Sequence, residues 1–241
     1  MKALGHIIRG TARKRFALGF AIGLNIALTS LAHAGVLDSF TQKEAGGAVK
    51  TALDKGANAA VALLGKPDGF LGNDKVKIPL PEPLQKIESA LRMFGQEKKA
   101  DELVLAMNRA AEQAVPQAKT LLTNAIKGMS LDDAKGILTG GEGSVTRFFR
   151  EKTAAPLAEK FLPIIKQQTD KVGVAAQYNQ LAGQVAQFGV LKPEQTSIEK
   201  YVTQKALDGL YLMIEEEENK IRANPVAAGS DLLGKVFGAL K

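Results

Sequence analysis

Apolar residues recur along most of the chain at the spacing of about 3.6 residues that is typical of amphipathic helices. Alternation of apolar and polar residues, which indicates a strand, does not extend beyond about five residues. The pattern therefore predicts an all-α fold, a single-domain bundle of about seven to nine helices. The predicted helices cover residues 38–64, 83–94, 98–115, 116–128, 130–139, 144–171, 173–188, 197–222 and 230–240.

Capping and breaking residues set the predicted limits of these helices. Ser130 with Asp133, and Thr196 with Glu199, have the spacing of a reciprocal capping box at a helix start. Pro156 lies inside the segment 144–171, so we expect the helix to restart or kink there.

The longest irregular segment, residues 65–83, reads GKPDGFLGNDKVKIPLPEP. Its Pro-Asp-Gly sequence favours a turn, and its later prolines exclude a central strand. We expect this loop to wrap the core. The alternative is that it forms the lip of a site, as long ordered loops often do.

The segment 206–214, ALDGLYLMI, is apolar on nearly every face, so we expect its helix to lie at the centre of the bundle. Asp208 is the only charged residue in it, and a carboxylate removed from water needs a partner. We expect a buried structural ion pair or a position at the helix edge that faces water. The candidate partners are Arg109, Lys135 and Arg147, and the alternative is an acid in a polar cleft.

Four consecutive glutamates, residues 215–218, suggest a metal cluster at first sight. Carboxylate bundles that bind two metal ions also use histidines, which this part of the chain lacks. Glu216 lies four residues before Lys220, and Glu218 four before Arg222, which is the favourable order for ion pairs on a helix. We therefore predict a solvated, salt-bridged turn and no metal site.

Two further groups of residues are candidates for binding. Asn108, Arg109 and Glu112 place three polar side chains on one helical turn, where they bind a polar ligand or form a surface or interhelix hydrogen-bond set. The glycine-rich turn 140–144 precedes a helix and resembles an anion cradle. Because no Gly-Lys-Ser/Thr follows and Glu142 would repel phosphate, we interpret it as a helix stop followed by a helix cap.

The amino terminus has the three parts of a secretory signal peptide. Residues 1–15 hold five basic residues and no acid, residues 16–31 are apolar, and Ala32-His33-Ala34 is a small-x-small cleavage site. We predict a signal peptide over 1–34, cleavage near Ala34/Gly35, a single helical domain over 35–241, and a periplasmic or secreted location. An uncleaved membrane anchor is the alternative.

Cleavage would change the chemistry that the chain can perform. It would remove both histidines and five of the 32 basic residues, leaving a net charge of +2 and neither histidine nor cysteine. Nucleophilic catalysis that relies on these side chains, and the usual zinc and copper sites, are then excluded. The small charge argues against nucleic acid as a partner. We predict no cofactor and favour a protein that is not an enzyme.

The apolar positions of segment 230–240 fall on one helical face: Leu232, Leu233, Val236, Phe237 and Leu240. We expect this helix to close its own core. Docking on a partner or at a membrane interface are the alternatives.

Several long stretches resemble a known family: PDGFLGNDKVKIPLPEPLQKIE at 67–88, NRAAEQAVPQAK at 108–119, DDAKGILTGGEGSVTRFFR at 132–150 and YVTQKALDGLYLMIEEE at 201–217. The family is a bacterial group of exported helical proteins called domain of unknown function 4197. The resemblance implies a periplasmic or secreted helical domain without an established activity, and it supplies no catalytic residues.

These observations lead to one functional expectation and two alternatives. We expect a non-catalytic protein that binds a small ligand or an envelope protein where the 65–83 loop, the 140–144 turn and the helix of Arg109 meet. Lys135, Arg147 and Asp208 are the polar residues expected to line that site, beside Asn108 and Glu112. The alternatives are an enzyme that uses carboxylates in a cleft around Asp208, and a lipid-associated envelope protein that uses the C-terminal helix.

Overall fold

A computed structural model describes residues 42–93, 95, 97–186 and 191–224. All regular elements in these ranges are helical, which confirms the predicted all-α fold. The predicted signal peptide and the predicted 230–240 helix lie outside the described residues. The α-helices are α1 (Gln42–Leu64), α2 (Glu82–Met93), α3 (Glu97–Ala114), α4 (Ala118–Lys127), α5 (Leu131–Thr139), α6 (Ser144–Thr169), α7 (Gly173–Ala186) and α8 (Ile198–Ala223), with short 3-10 turns at Val115–Gln117 and Pro193–Gln195.

Helix α8 lies at the centre of the bundle, as its apolar sequence predicts. It packs mainly against α6 and α1, and it also contacts α3. Residues on several of its faces are buried, among them Val202, Leu207, Leu210, Tyr211 and Ile214. A helix that is apolar all round is stable only when other helices cover it, and this requirement places α8 inside.

The loop between α1 and α2 wraps the core, as expected. Phe70, Val76 and Ile78 are buried, although the segment has no regular structure. The loop reaches α8 at Gly209, where a Cβ atom would lie 2.8 Å from Cε1 of Phe70 and 3.2 Å from Cβ of Val76. Glycine is therefore required for the loop to approach the helix this closely.

Helix α6 is continuous from Ser144 to Thr169, with Pro156 and Pro163 inside it. Of the predicted restart or kink at Pro156, the restart was wrong, because no new helix begins there. A proline inside a helix costs about 3 kcal/mol. Leu157 and Phe161 are fully buried beside it, and α6 packs along both α8 and α3. This packing offsets the local cost of the proline. Judged from the sequence pattern alone, that cost would end the helix.

One of the two predicted capping boxes forms. The Ser130 side chain accepts from the Asp133 amide at 3.0 Å, and the Asp133 carboxylate accepts from the Ser130 amide at 2.9 Å. At α8 the cap is Ser197, which accepts from the Lys200 amide at 3.3 Å, so the prediction of Thr196 was wrong by one residue.

The side chain of Glu199, assigned to that second box, is used elsewhere. It accepts hydrogen bonds from the Asn179 amide at 2.9 and 3.0 Å and from the Thr169 hydroxyl at 3.3 Å. It thus joins α8 to α7 and to the end of α6, which are contacts that local spacing does not reveal.

We expect Gly209→Ala to lower the free energy of unfolding by about 1–3 kcal/mol, because the new methyl group would overlap the fully buried Phe70 ring. Urea denaturation followed by circular dichroism measures the change. Gly47→Ala is the matched control, since Gly47 is an exposed residue of α1 where an added Cβ would meet no atom within 4 Å. This control should gain up to about 1 kcal/mol from helix propensity. Stabilisation of similar size by both variants would contradict the close contact between loop and helix.

Candidate functional site

The polar trio on α3 binds the 65–81 loop. The Asn108 side-chain amide pairs with the backbone of Ile78, accepting from its N–H at 2.8 Å and donating to its carbonyl at 2.9 Å. It also donates to the Val104 carbonyl at 2.8 Å. Asn108 is fully buried, so these bonds satisfy a side chain that has no access to water.

Glu112 and Arg109 fix the start of the same loop. The buried Glu112 carboxylate accepts from the backbone amides of Phe70 and Leu71 at 3.0 and 3.2 Å. Arg109 donates to Glu112 at 2.7 Å and to Asp68 at 2.8 Å, and these bonds, the one to Glu112 first, raise the pKa of Arg109. All three side chains of the trio thus bond to the 65–81 loop of their own chain.

Asp208 lies at the edge of α8 with 44% of its side chain exposed, in agreement with the expected edge position. Its partners are Arg150 at 3.3 Å and Gln204 at 3.0 Å. All three predicted partners were therefore wrong. Arg150 projects from the second turn of α6 and also lies over the Tyr211 ring at 4.6 Å from its centroid. The pairing depends on the register of α6 against α8, which the sequence does not specify.

The predicted partners of Asp208 lie elsewhere. Arg109 is held by Glu112 and Asp68, as described above. Arg147 donates to the carbonyls of Gly140 and Glu142 at 3.3 and 3.5 Å, so it stabilises the glycine-rich turn. Lys135 is an exposed residue of α5. The structure thus brings the 65–81 loop together with the helix of Arg109, and it places Arg147 with the 140–144 turn.

Glu218 is the buried acid that the sequence analysis missed. Only 1% of its side chain is exposed. Its carboxylate accepts from the backbone amides of Val145 and Thr146, both at 3.3 Å, and from the Nε of Arg222 at 2.9 Å. The predicted pair of Glu218 with Arg222 is confirmed, but the prediction of a solvated turn was wrong for Glu218, because the pair is buried. Its spacing of four and seven residues from Ile214 and Tyr211 places it on a buried face, and this register is the sequence signal that could have identified it.

The carboxylate of Glu218 caps helix α6. The N-cap residue is Gly143, which has a φ of +71° and no side chain that could act as a cap. The two amides that Glu218 accepts from belong to the second and third residues of the helix, the ones that a capping side chain normally binds. The glycine-rich turn does hold an anion at a helix N-terminus, and that anion is a carboxylate of the same chain.

Arg222 connects this cap to α5. Besides Glu218, it donates to the Ile137 carbonyl at 2.9 Å and to the Ser144 hydroxyl at 2.7 Å. One buried ion pair therefore joins the end of α5, the start of α6 and the last turns of α8.

The other glutamates of the run behave as a surface ion-pair turn, with one change of partner. Glu217 accepts from Lys220 at 2.6 Å. Glu216 pairs with Lys75 of the loop and not with Lys220, so that predicted pair was wrong. Glu216 binds Lys75, which is distant in sequence, because the loop runs along this side of α8.

An apolar pocket lies beside the Glu218–Arg222 pair, between α1, α6 and α8. Its volume is about 330 Å³, including its open mouth. The walls are apolar apart from this ion pair, and we call this site the apolar pocket. It is lined by Ala52, Leu53, Gly56, Ala57, Val145, Ile214 and Ile221, with Glu218 and Arg222 at one side.

Tyr201 fixes the far end of the loop. Its hydroxyl donates to the carbonyl of Pro79 at 3.1 Å, and the carbonyl of Leu80 lies at 3.5 Å. Burial, with a smaller contribution from Tyr178, raises the pKa of Tyr201 to about 12. The phenol therefore remains a neutral donor well above the ordinary range of tyrosine.

Removing the Glu218 charge should destabilise the fold strongly. We expect Glu218→Gln to lower the free energy of unfolding by about 3 kcal/mol, because Arg222 loses its buried counter-ion and α6 its cap. The control is Asp208→Asn, which removes an exposed pair worth about 1 kcal/mol or less. Urea midpoints compare the two, and equal losses would show that Glu218 is not the buried anchor.

The Tyr201 hydrogen bond predicts that the free energy of unfolding falls at alkaline pH. Because only the neutral phenol donates, its contribution should be complete below pH about 10, the ordinary tyrosine value. It should be lost as the pH rises towards about 12. Tyr201→Phe should be less stable than wild type by about 1 kcal/mol below pH 10. Above pH 10 the wild-type curve of unfolding free energy should fall to that of Tyr201→Phe and then cross it, because ionising a phenol whose pKa is raised to about 12 costs the folded state more than the hydrogen bond contributes. Parallel curves would contradict the assignment.

Within the ranges that the structure describes, no helix is long and apolar enough to cross a membrane, and no group of three or more His, Cys, Asp or Glu residues is placed to hold a metal ion. Comparisons with curated proteins and with solved structures find no match. A family model described as a protein of unknown function, DUF4197, matches residues 39–238. This match spans most of the chain, and the protein belongs to that family.

Proposed function

We propose that this protein is exported and acts as a non-catalytic binding protein, which receives an apolar segment of an envelope partner in the apolar pocket. Support for export comes from residues 1–34, with their basic start, apolar middle and small-residue exit. Support for binding comes from one observation, an open apolar pocket built against a fixed buried ion pair.

The hydrogen bonds of the buried acids favour a binding protein over an enzyme. Glu112, Glu199 and Glu218 each accept hydrogen bonds from groups of the same chain. A carboxylate that caps a helix or anchors a loop cannot also exchange protons with a substrate without loosening the fold. Asp208, the acid around which an enzymatic cleft was considered, is half-exposed, paired with Arg150, and not among the residues that line the apolar pocket.

The chemistry of the pocket indicates the class of partner. Its lining includes Leu53, Ile214 and Ile221, together with small residues of α1. Because Arg222 is already bonded to Glu218, Ile137 and Ser144, binding would be driven by burial of apolar surface, at about 25 cal/mol per Å². The pocket is open to the surface, so apolar side chains that project from a partner could reach it. An amphipathic helix laid along a groove presents apolar side chains in this way.

The test uses the dye anilinonaphthalene sulfonate as an apolar probe of the pocket. Protein purified from the envelope fraction of its own host should begin at Gly35 by intact mass. It should also bind the dye saturably. Gly56→Leu should weaken this binding at least about tenfold, the equivalent of about 1.4 kcal/mol, because the side chain fills the pocket. A Cβ atom added at Gly56 would have its nearest neighbour at 3.5 Å, which is ordinary van der Waals contact for that atom.

Gly47→Leu is the matched control, since Gly47 lies on the exposed side of the same helix. It should leave the dye affinity unchanged. Equal affinity of wild type and Gly56→Leu would refute the pocket as the binding site, and a chain that still begins at Met1 would refute export.

A further inference from the structure

We propose that Arg109 is the centre of a second binding site, which takes the carboxylate of an acidic ligand in the place that the Asp68 side chain occupies in this structure. Asp68 competes with the ligand for the guanidinium of Arg109. Neither residue is among those that line the apolar pocket, so the inference does not depend on the proposed function.

The backbone conformation of Asp68 is unfavourable for an aspartate. Among the non-glycine residues that the structure describes, Asp68 alone has a positive φ, +65°. Glycine adopts this left-handed conformation without steric cost, whereas a residue with a Cβ atom does not. The chain thus keeps a carboxylate at a position where glycine would be less strained, and strain of this kind is concentrated at functional sites.

The ion pair of Asp68 with Arg109 contributes too little to folding to explain why the strain is kept. The two side chains are 62% and 35% exposed, and an ion pair in contact with water stabilises a fold only slightly. A role in binding accounts for the carboxylate better than a role in stability does.

The position of the turn does not depend on the Asp68 carboxylate. The neighbouring Gly69 packs against the end of α1 so closely that a Cβ atom would lie 2.5 Å from the carbonyl oxygen of Leu64. The buried Glu112 carboxylate accepts from the next two backbone amides of the loop. The Asp68 side chain can therefore turn away from Arg109 while the loop stays in place.

Glu112 also holds Arg109 in position for a ligand. Glu112 is 4% exposed, and its carboxylate accepts from Nη1 of Arg109 at 2.7 Å. Asp68 accepts from Nη2 at 2.8 Å, and an arginine side chain carries more N–H donors than these two bonds use. When Asp68 leaves, a planar carboxylate meets a fixed guanidinium whose N–H groups match its two oxygens.

The surroundings of Arg109 favour a singly charged anion with an apolar group beside it. Glu112 keeps a negative charge at the guanidinium, and it repels a phosphate of up to about two charges more strongly than a carboxylate. Leu105 lies one turn before Arg109 on the same face of α3 and is 45% exposed. A small organic acid and the free carboxyl terminus of a polypeptide both supply this chemistry.

The side-chain Nε–H signal of Arg109 in the NMR spectrum of the full chain reports binding directly. N-acetylleucine should shift this signal saturably, and N-acetylleucinamide, which lacks the charge, should not. Asp68→Gly should tighten the binding of N-acetylleucine about fivefold, the equivalent of about 1 kcal/mol, because it removes the competing carboxylate. Asp74→Gly is the matched control, since Asp74 is an exposed acid of the same loop, and it should leave the affinity unchanged.

An unchanged affinity in Asp68→Gly would overturn the proposal, and so would an equal gain in Asp74→Gly. If Asp68→Gly lowers the urea midpoint without changing the affinity, Asp68 only supports the fold. Tighter binding of inorganic phosphate than of acetate would reject a carboxylate as the ligand. Within a positive result, a peptide that ends in a free leucine and binds more tightly than N-acetylleucine assigns the carboxylate to a polypeptide terminus, and equal affinity assigns it to a small acid.

Discussion

The burial of one charge, the carboxylate of Glu218, constrains the whole C-terminal half of the described fold. A carboxylate taken out of water costs several kcal/mol unless other groups neutralise and hydrogen-bond it. Here the compensation comes from Arg222 and from the first amides of α6. The N-cap residue of α6 is a glycine, which has no side chain that could cap the helix. The Glu218 carboxylate supplies the missing cap, and the helix amides supply hydrogen bonds to the buried carboxylate. Their mutual requirement fixes how α5, α6 and α8 meet, and it builds one wall of the apolar pocket.

Buried polar side chains also bind backbone groups of the 65–81 loop, whose path apolar packing alone cannot specify. The 65–81 loop makes several turn hydrogen bonds within its first part, but the remaining buried backbone groups take partners from outside it. Asn108 and Glu112 supply them from α3, and Tyr201 supplies one from α8. The loop accepts one strained residue in this arrangement, Asp68, whose φ is +65° and whose carboxylate Arg109 holds. Buried polar groups thus determine the path of the loop, while its apolar side chains supply the burial.

Local patterns in the sequence predict the helices, the wrapping loop, the central position of α8 and the Ser130 cap, because each depends on neighbours within one or two turns. Two ion pairs cannot be predicted from local spacing. Asp208 pairs with Arg150 because of the register between two helices, and Glu216 pairs with Lys75 of a distant loop. The continuity of α6 through Pro156 has the same origin, since packing against two helices outweighs the local penalty. Glu218 is an intermediate case. Its register with Tyr211 indicates burial, but its place in a run of four glutamates favours the opposite interpretation.

Amide hydrogen exchange at Val145 and Thr146 tests the central role of Glu218 most directly. The first amides of a helix have no partner within the helix and normally exchange fast. If the buried carboxylate holds them, both amides should exchange only through global unfolding, as slowly as the core of α8. Exchange at the rate of an open helix end, in a protein that is otherwise folded, would contradict the account.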